Sequence, residues 1–409
     1  MKLDNIRAAE ARLLVQTYER TPVLFVRGEG VHLYDENGAA YLDFLSGIGV
    51  NALGYAHPAV TATIAAQSQK LLHTCNLFYH EGQAELALRL TEISGMDRAF
   101  FCNSGTEAQE AAMKIARAHA GLLRAEGKTI GTKILAFENG FHGRTMGAVS
   151  TTHKAKYREP FAPLIPGVEF VRFNDAADFR AKFSSEVCAV VIETLQGEGG
   201  IHLATPEFLA TVRELTQQTG ALLIADEIQC GLGRTGQWFG YQHSGVLPDV
   251  VTLAKHLGGG LPIGAVLCTD EAARAITPGM HGTTFGGGPL ACAVACTVVD
   301  TLRQQNLLEH VRTVGGYFQN KLRTLAQKHS CITAVRGLGL MLGAELASAD
   351  LAKQVAAQML ERRILINRTS ETVLRFLPPY VIERLHVDQV VEALDTVLAA
   401  AAVAGAKHA

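Results

Sequence analysis

Two apolar runs in this chain end on ionisable residues. Ala221-Leu-Leu-Ile-Ala leads into Asp226 and Glu227, and Asp249-Val-Val-Thr-Leu-Ala leads into Lys255. Ligands of open parallel sheets bind just outside the carboxyl ends of the strands, so these runs, read as strands, put charge where such chemistry is done. A lysine is seldom buried without a partner or a task. Stripped of water, it gives up its proton readily and condenses with a carbonyl as a Schiff base. Acidic residues also follow strands in ordinary turns, so the carboxylates alone leave both readings open.

One carbonyl cofactor makes a checklist for the remaining residues. Pyridoxal phosphate (PLP) needs a lysine for its aldehyde, an anion against its pyridine nitrogen, and dry donors for its phosphate. Lys255 and Asp226 meet the first two needs. For the third, Cys102-Asn103-Ser104-Gly105-Thr106-Glu107-Ala108 is a strand end that turns directly into a helix. Free N–H groups and the positive helix terminus favour a dianion there, although Ser104 or Thr106 beside the glutamate would serve equally as a helix cap. Phe141-His142-Gly143-Arg144, after another apolar run, offers an aromatic face and a guanidinium, a pair that is also common on surfaces.

These groups need a scaffold, and the sequence predicts an α/β fold: a large domain with a mostly parallel sheet, plus a smaller α+β domain. Strands are expected at Arg98 to Cys102, Lys133 to Phe137, Glu169 to Phe173, Cys188 to Glu193, Leu222 to Asp226, Val250 to Ala254 and Ala265 to Thr269. They alternate with helical segments such as Thr106 to His119 and Pro206 to Thr219, the pattern of a parallel sheet covered by helices. The N-terminal part opens with an amphipathic helix, Ile6 to Gln16, then short strands at Leu24 to Arg27 and His32 to Tyr34. From about Leu302 the chain reads as helix, strands at Gly339 to Leu346 and Val373 to Phe376, and a helix from Asp388 to Ala401. The expected division is 61–301 for the large, cofactor-binding domain, with 1–60 and 302–409 joining in the small one.

Together these motifs resemble the class III (ω-amino acid) PLP-dependent aminotransferases of fold type I, from about Tyr18 to about Pro379. The most specific stretch runs from Asp226-Glu227-Ile228-Gln229 to Gly236, followed by Ala254-Lys255 and Gly258-Gly259-Gly260. The resemblance implies that Asp226 pairs with the pyridine nitrogen, Ile228 packs on the ring, Gln229 lies near its phenolic oxygen and Phe141 stacks on the opposite face. It also implies that the Ser104-Gly105-Thr106 turn holds the phosphate and that Lys255 is both anchor and proton carrier. His281-Gly282-Thr283-Thr284-Phe285-Gly286-Gly287 is similar to a family loop that reaches the neighbouring subunit's site. Thr284 would then touch the partner's phosphate and Thr283 would face substrate, in a homodimer with shared active sites. Gly288 stands where the family usually has Asn, and His256 where glycine is common.

Two substrates must be accommodated, and planar guanidinium forks suit their carboxylates. By resemblance Arg144 takes the distal carboxylate, Arg375 takes the α-carboxylate of glutamate, and Glu198 neutralises Arg375 while an ω-amine donor is present. Either arginine would otherwise be an ordinary solvated charge, and Tyr18 serves a carboxylate pocket or simply core packing. Gly47 to Gly54 with His57-Pro58, Asn76 to Tyr79, and Leu374 to Pro379 are most similar to the acetylornithine aminotransferase branch of the family. That branch implies ping-pong transfer of the ω-amino group of N-acetylornithine to 2-oxoglutarate, in arginine biosynthesis. Ornithine, succinylornithine, 4-aminobutyrate or an acyl-diaminopimelate precursor would satisfy the same carboxylate logic.

Composition bounds the alternatives. With 37 Lys plus Arg against 39 Asp plus Glu, there is no field of one sign to attract nucleic acid. The polar start and the lack of a long apolar stretch predict neither export nor membrane insertion, and so a cytoplasmic enzyme. Eight cysteines without Cys-x-x-Cys or a neighbouring histidine at metal-ligand spacing predict reduced thiols and no metal site. Gly231-Leu-Gly233-Arg-Thr-Gly236 fits a dinucleotide-binding pattern, which would make a nicotinamide-dependent oxidoreductase. That motif demands an immediate helix and an acid about 20 residues on, whereas Gln237-Trp238-Phe239-Gly240 follows here.

Overall fold

In the computed structural model, which describes residues 2–406, the apolar runs form a seven-stranded sheet. Met1 and residues 407–409, the outer limits of the expected segments 1–60 and 302–409, lie outside the described residues. Across the sheet the order is Arg98–Cys102, Gly264–Cys268, Val250–Leu253, Leu222–Asp226, Val187–Ile192, Lys133–Phe137, Val168–Val171. Four neighbouring pairs run parallel, and Gly264–Cys268 is antiparallel to both its neighbours. The carboxyl ends of the other six strands therefore share one edge, which receives Asn103, Phe141, Glu193, Asp226 and Lys255.

Burial explains why these runs are strands. Val187–Ile192, Leu222–Asp226, Val250–Leu253 and Gly264–Cys268 are buried along their whole lengths, and strands covered on both faces require continuous apolar runs rather than alternation. Three strands end one residue earlier than expected, at Ile192, Leu253 and Cys268; after two of them the next residue, Ala254 or Thr269, already caps a helical segment. The strand expected at Glu169 to Phe173 is Val168–Val171, and its parallel pairing ends where Phe137 meets Val171.

Helices cover the sheet as their sequences direct. Gly105–Ala125 is capped by Ser104 and buries Ala108, Ala111, Ala112, Ile115, Ala116, Ala120 and Leu123. It outruns the expected end at His119 and reaches Ala125, its added turns burying Ala120 and Leu123 despite Gly121. Pro206–Thr219 matches its expected bounds: Thr205 accepts from Phe208 N–H, and Gly220 at φ 79° ends the helix in the left-handed region.

A separate apolar core joins residues from both parts of the chain, among them Phe44, Leu53, Phe318, Leu342, Phe376 and Val390. Phe318 packs edge-on against Phe44 and Phe376, with ring centroids 5.5 and 5.1 Å apart. The early strands Phe25–Glu29, His32–Asp35 and Ala40–Asp43 share a sheet with Ile364–Leu365, which runs parallel to Ala40–Asp43. A further antiparallel sheet has the order Ile332–Leu338, Met341–Leu346, Val373–Phe376, Asn367–Thr369. Ile332–Leu338 escaped the sequence reading because it is half-exposed and carries Gly337 at φ 123°, so no apolar run marks it. The amphipathic helix expected at Ile6 to Gln16 is Leu3–Leu13 and buries none of its residues. No described helix is long and apolar enough to cross a membrane.

Gly231 to Gly236 form turns and open no helix, which removes the dinucleotide reading. Glu227 is what holds this loop. Its buried carboxylate accepts from Gly240 N–H at 2.8 Å, Tyr241 N–H at 3.0 Å and Cys230 Sγ at 3.2 Å. Burial outweighs these bonds and pushes the carboxyl from 4.5 up to about 7. Between those values the native state keeps a proton that the unfolded chain has released, so this site makes folding less favourable as pH rises through the window. Glu227→Gln does not titrate. The melting temperature of the wild type relative to this variant is expected to fall from pH 5 to pH 8, and a constant or rising difference would contradict the assignment.

Candidate active site

At the carboxyl edge of the large sheet lies a cleft of about 430 Å³. It gathers ten of the residues singled out from the sequence: Ser104, Gly105, Thr106, Phe141, Arg144, Glu198, Asp226, Ile228, Gln229 and Lys255. They come from five segments of the chain, each at or after the carboxyl end of a strand of the sheet. Arg375, Thr283, Thr284 and Tyr18 do not line the cleft.

Asp226 ends one strand and Lys255 lies two residues past the end of its parallel neighbour, with Asp226 in register with Thr252. Asp226 is 4% exposed, and a carboxylate so placed must be satisfied by donors. Oδ1 accepts from Ile228 N–H at 3.1 Å and from Thr252 Oγ1 at 3.4 Å, and Gln109 on the covering helix donates to Thr252 Oγ1 at 2.9 Å. Oδ2 is 2.7 Å from His142 Nδ1. An ionised carboxylate only accepts, so Nδ1 carries the proton. Burial lowers the affinity of His142 for a second proton, but the hydrogen bond and charge of Asp226, with Glu193 beyond, outweigh it and leave its pKa raised.

Lys255 is half-buried at φ 39°, in the left-handed region that non-glycine residues avoid at a cost of about 1–3 kcal/mol. Strain of that size is retained where the chain must aim a side chain. Desolvation lowers its pKa against the opposing pull of Asp226 and Glu198. The amine is therefore neutral, and nucleophilic, more often than a surface lysine is.

Ser104 caps Gly105–Ala125 by accepting from Glu107 N–H at 3.3 Å. Glu107 in turn accepts from Asn103 N–H at 2.6 Å. Gly105 and Thr106, the first two helical residues, have no intrahelical acceptor for their N–H groups, which makes a ready anion site of a 21-residue helix. A Cβ on Gly105 would lie 2.8 Å from Ile228 Cδ1, so glycine is what allows the two walls to approach. Thr106 Oγ1 bonds Thr145 Oγ1 at 2.8 Å and accepts from Arg144 N–H at 3.2 Å, tying this turn to the segment after Phe141.

The two arginines differ sharply. Arg144 is exposed at the cleft, its guanidinium 3.5 Å from the centroid of the Tyr157 ring and 5.6 Å from that of Phe141. Arg375 is fully buried behind Glu198. Its Nη1 bonds Glu198 Oε1 at 2.6 Å and Gln229 Oε1 at 3.2 Å, its Nε bonds Asn367 at 3.2 Å, and its Nη2 has no partner. Thr283 accepts from Asn103 Nδ2 at 3.2 Å, one residue from the phosphate turn, while Thr284 and Phe285 are exposed. Tyr18 is 74% exposed and borders a groove formed with the helix Leu3–Leu13, apart from the cleft.

Sequence reasoning passed over His142, Thr252, Tyr157 and Glu193. Glu193 had a signal, since it directly follows a buried apolar run; it accepts from Phe141 N–H at 3.0 Å and Gly197 N–H at 3.1 Å, and burial raises its pKa. The pairing of His142 with Asp226 spans 84 residues and had none.

The donor set fits a phosphorylated, ring-bearing aldehyde: an amine, a buried anion, free N–H groups at a helix terminus, and an aromatic and an aliphatic wall. The Aminotransferase class-III family profile matches residues 14–398. Acetylornithine aminotransferase of Methanocaldococcus jannaschii is 47% identical over 97% of this chain and 98% of its own length. That of Caldanaerobacter subterraneus is 45% identical over 95% and 98%. The crystal structure of ornithine aminotransferase from Toxoplasma gondii superimposes with a TM-score of 0.93 at 32% identity, covering 98% of this chain and 96% of that one. The chain belongs to the class-III aminotransferases, enzymes that work with pyridoxal phosphate.

Proposed function

We propose that this chain transfers the ω-amino group of N-acetylornithine to 2-oxoglutarate, by a ping-pong cycle in arginine biosynthesis. One observation carries the reading: Arg144 stands open at the cleft, while Arg375 is masked by Glu198. An ω-amine donor has one carboxylate, far from the reacting carbon, and needs one guanidinium. Glutamate has a second carboxylate beside the reacting carbon and needs another. A free arginine plus one that a carboxylate can release meets both demands. Identity of 45–47% to the two acetylornithine aminotransferases supports the choice of donor.

Pyridoxal phosphate, when bound, supplies an aldehyde that takes up the amino group and a ring that accepts the electron pair left on the donor carbon. Lys255 would hold the aldehyde and, once displaced by donor, move the proton to and from that carbon. Asp226, fixed by His142 and Thr252, would keep the ring nitrogen protonated. Gly105 and Thr106 would hold the phosphate, Phe141 and Ile228 would sandwich the ring, and Gln229 would lie near its phenolic oxygen.

Thr284 we assign to the phosphate of a second copy, in a homodimer with shared sites. The support is an exposed apolar cluster, Leu77, Phe78, Tyr79 and Phe285. It is joined to the threonine loop by Asn76, which donates to Thr283 O at 3.0 Å and Gly286 O at 3.2 Å. Patches of this kind on soluble proteins mark association surfaces. Thr283 faces substrate in this reading, whereas Tyr18, exposed beside the helix Leu3–Leu13, is left outside the carboxylate pocket. Eight free cysteines suit the reducing cytoplasm.

Lys255→Ala should lower turnover at least about 100-fold in single-turnover assays, the lower range for a lost proton-transfer group; wild-type rates would overturn the assignment. Arg144→Lys keeps the charge but loses the fork, so kcat/KM for N-acetylornithine should drop roughly 10- to 100-fold. Side-by-side kcat/KM for N-acetylornithine, ornithine, succinylornithine and 4-aminobutyrate tests the donor. N-acetylornithine is expected to lead, and a clear preference for ornithine or 4-aminobutyrate would replace it.

A further inference from the structure

The loop that carries Glu198 is gripped from outside the large sheet. Thr369 Oγ1 donates to the carbonyl of Glu198 at 2.6 Å, and Ser370 Oγ donates to the same oxygen at 3.1 Å. Two residues on, the carbonyl of Gly200 accepts from Arg336 Nε at 3.2 Å and Nη2 at 3.0 Å. Arg336 is itself fixed by Glu345 on the adjoining strand. All four donors belong to the antiparallel sheet Ile332–Leu338, Met341–Leu346, Val373–Phe376, Asn367–Thr369 or to its hairpin turn.

That hairpin also carries Arg375. Asn367–Thr369 pairs with Val373–Phe376, with Asn367 opposite Arg375 and Thr369 opposite Val373. A single β-hairpin thus holds Glu198 twice, by its backbone through Thr369 and Ser370 and by its side chain through Arg375. Its turn is strained: Ser370 and Glu371 sit at φ 46° and 64°, which non-glycine residues adopt only when their surroundings impose it. Thr369 is 4% exposed, so its hydroxyl serves this carbonyl rather than water.

We infer that Thr369, seconded by Ser370, is a positioning residue that sets how readily Glu198 releases Arg375, and with it the balance between the ω-amine and glutamate half-reactions. This rests on the reading of Glu198 and Arg375 as a switch. With the carbonyl of Glu198 held, its carboxylate has little freedom beyond the guanidinium. Freed, the loop lets the pair open more often, which exposes Arg375 to an α-carboxylate and weakens the site's fit to a donor that lacks one.

Single-turnover kcat/KM values of the PLP-loaded enzyme, measured separately with N-acetylornithine and glutamate, test the inference, with melting temperatures recorded alongside. Thr369→Val keeps the shape and deletes the donor. The glutamate-to-acetylornithine ratio should rise about 3- to 10-fold, the worth of one hydrogen bond, whereas Thr369→Ser should restore the wild-type ratio. Glu198→Gln should raise the ratio at least as much, and Thr369→Val added to it should change the ratio no further. If Glu198→Gln leaves the ratio unchanged, the switch itself is wrong. If Glu198→Gln moves the ratio but Thr369→Val does not, or if the two shifts add in full, the positioning role is overturned. Should Thr369→Val melt too low to assay, Ser370→Ala removes the weaker of the two bonds and must move the ratio in the same direction.

Discussion

Everything in the cleft depends on satisfying the carboxylate of Asp226 in a place that water hardly reaches. A buried carboxylate must be satisfied by donors, and the structure surrounds it with them. The Ile228 amide, the Thr252 hydroxyl and the His142 imidazole come from three different segments, and Gln109 on the covering helix orients Thr252. Such a cage exists only at a strand end, where the chain leaves the sheet and its polar groups become available. The parallel strands supply several such ends side by side. Lys255, one strand over, gains from the same geometry: desolvation makes it a better nucleophile, and nearby carboxylates limit how far its pKa falls.

The sequence carried the large sheet clearly because fully buried strands are continuous apolar runs. The residues just past those runs, Asp226, Lys255 and the Ser104 to Thr106 turn, stood out by contrast with them. Glu193 stood in the same kind of position but had no cofactor need to attract attention, and its role as a strap between Phe141 and Gly197 appears only in three dimensions. Contacts between distant segments left no trace in local pattern. His142 with Asp226, Tyr157 beneath Arg144, and Thr369 on the Glu198 carbonyl are of this kind. The half-exposed strand Ile332–Leu338 was missed for a different reason, since its residues are only partly buried and a glycine interrupts it.

Two kinds of arginine site follow from one chemical problem. Arg144 rests on an aromatic ring and remains accessible, which in the proposed function leaves it free for the carboxylate common to both substrates. Arg375 is buried with one nitrogen unpartnered, and Glu198 offsets its charge. A buried pair of this type adds little net stability, but it is costly to leave half-broken. In the proposed cycle, release of Glu198 would be favourable only when another carboxylate takes its place, which would make the pair selective.

The central claim is that Lys255, poised beside the caged Asp226, is the residue that binds the cofactor aldehyde. Borohydride reduction of the PLP-loaded protein, followed by peptide mapping by mass spectrometry, tests this most directly. One pyridoxyl group per chain, on Lys255, is expected. Modification of a different lysine, or none after full loading, would contradict it.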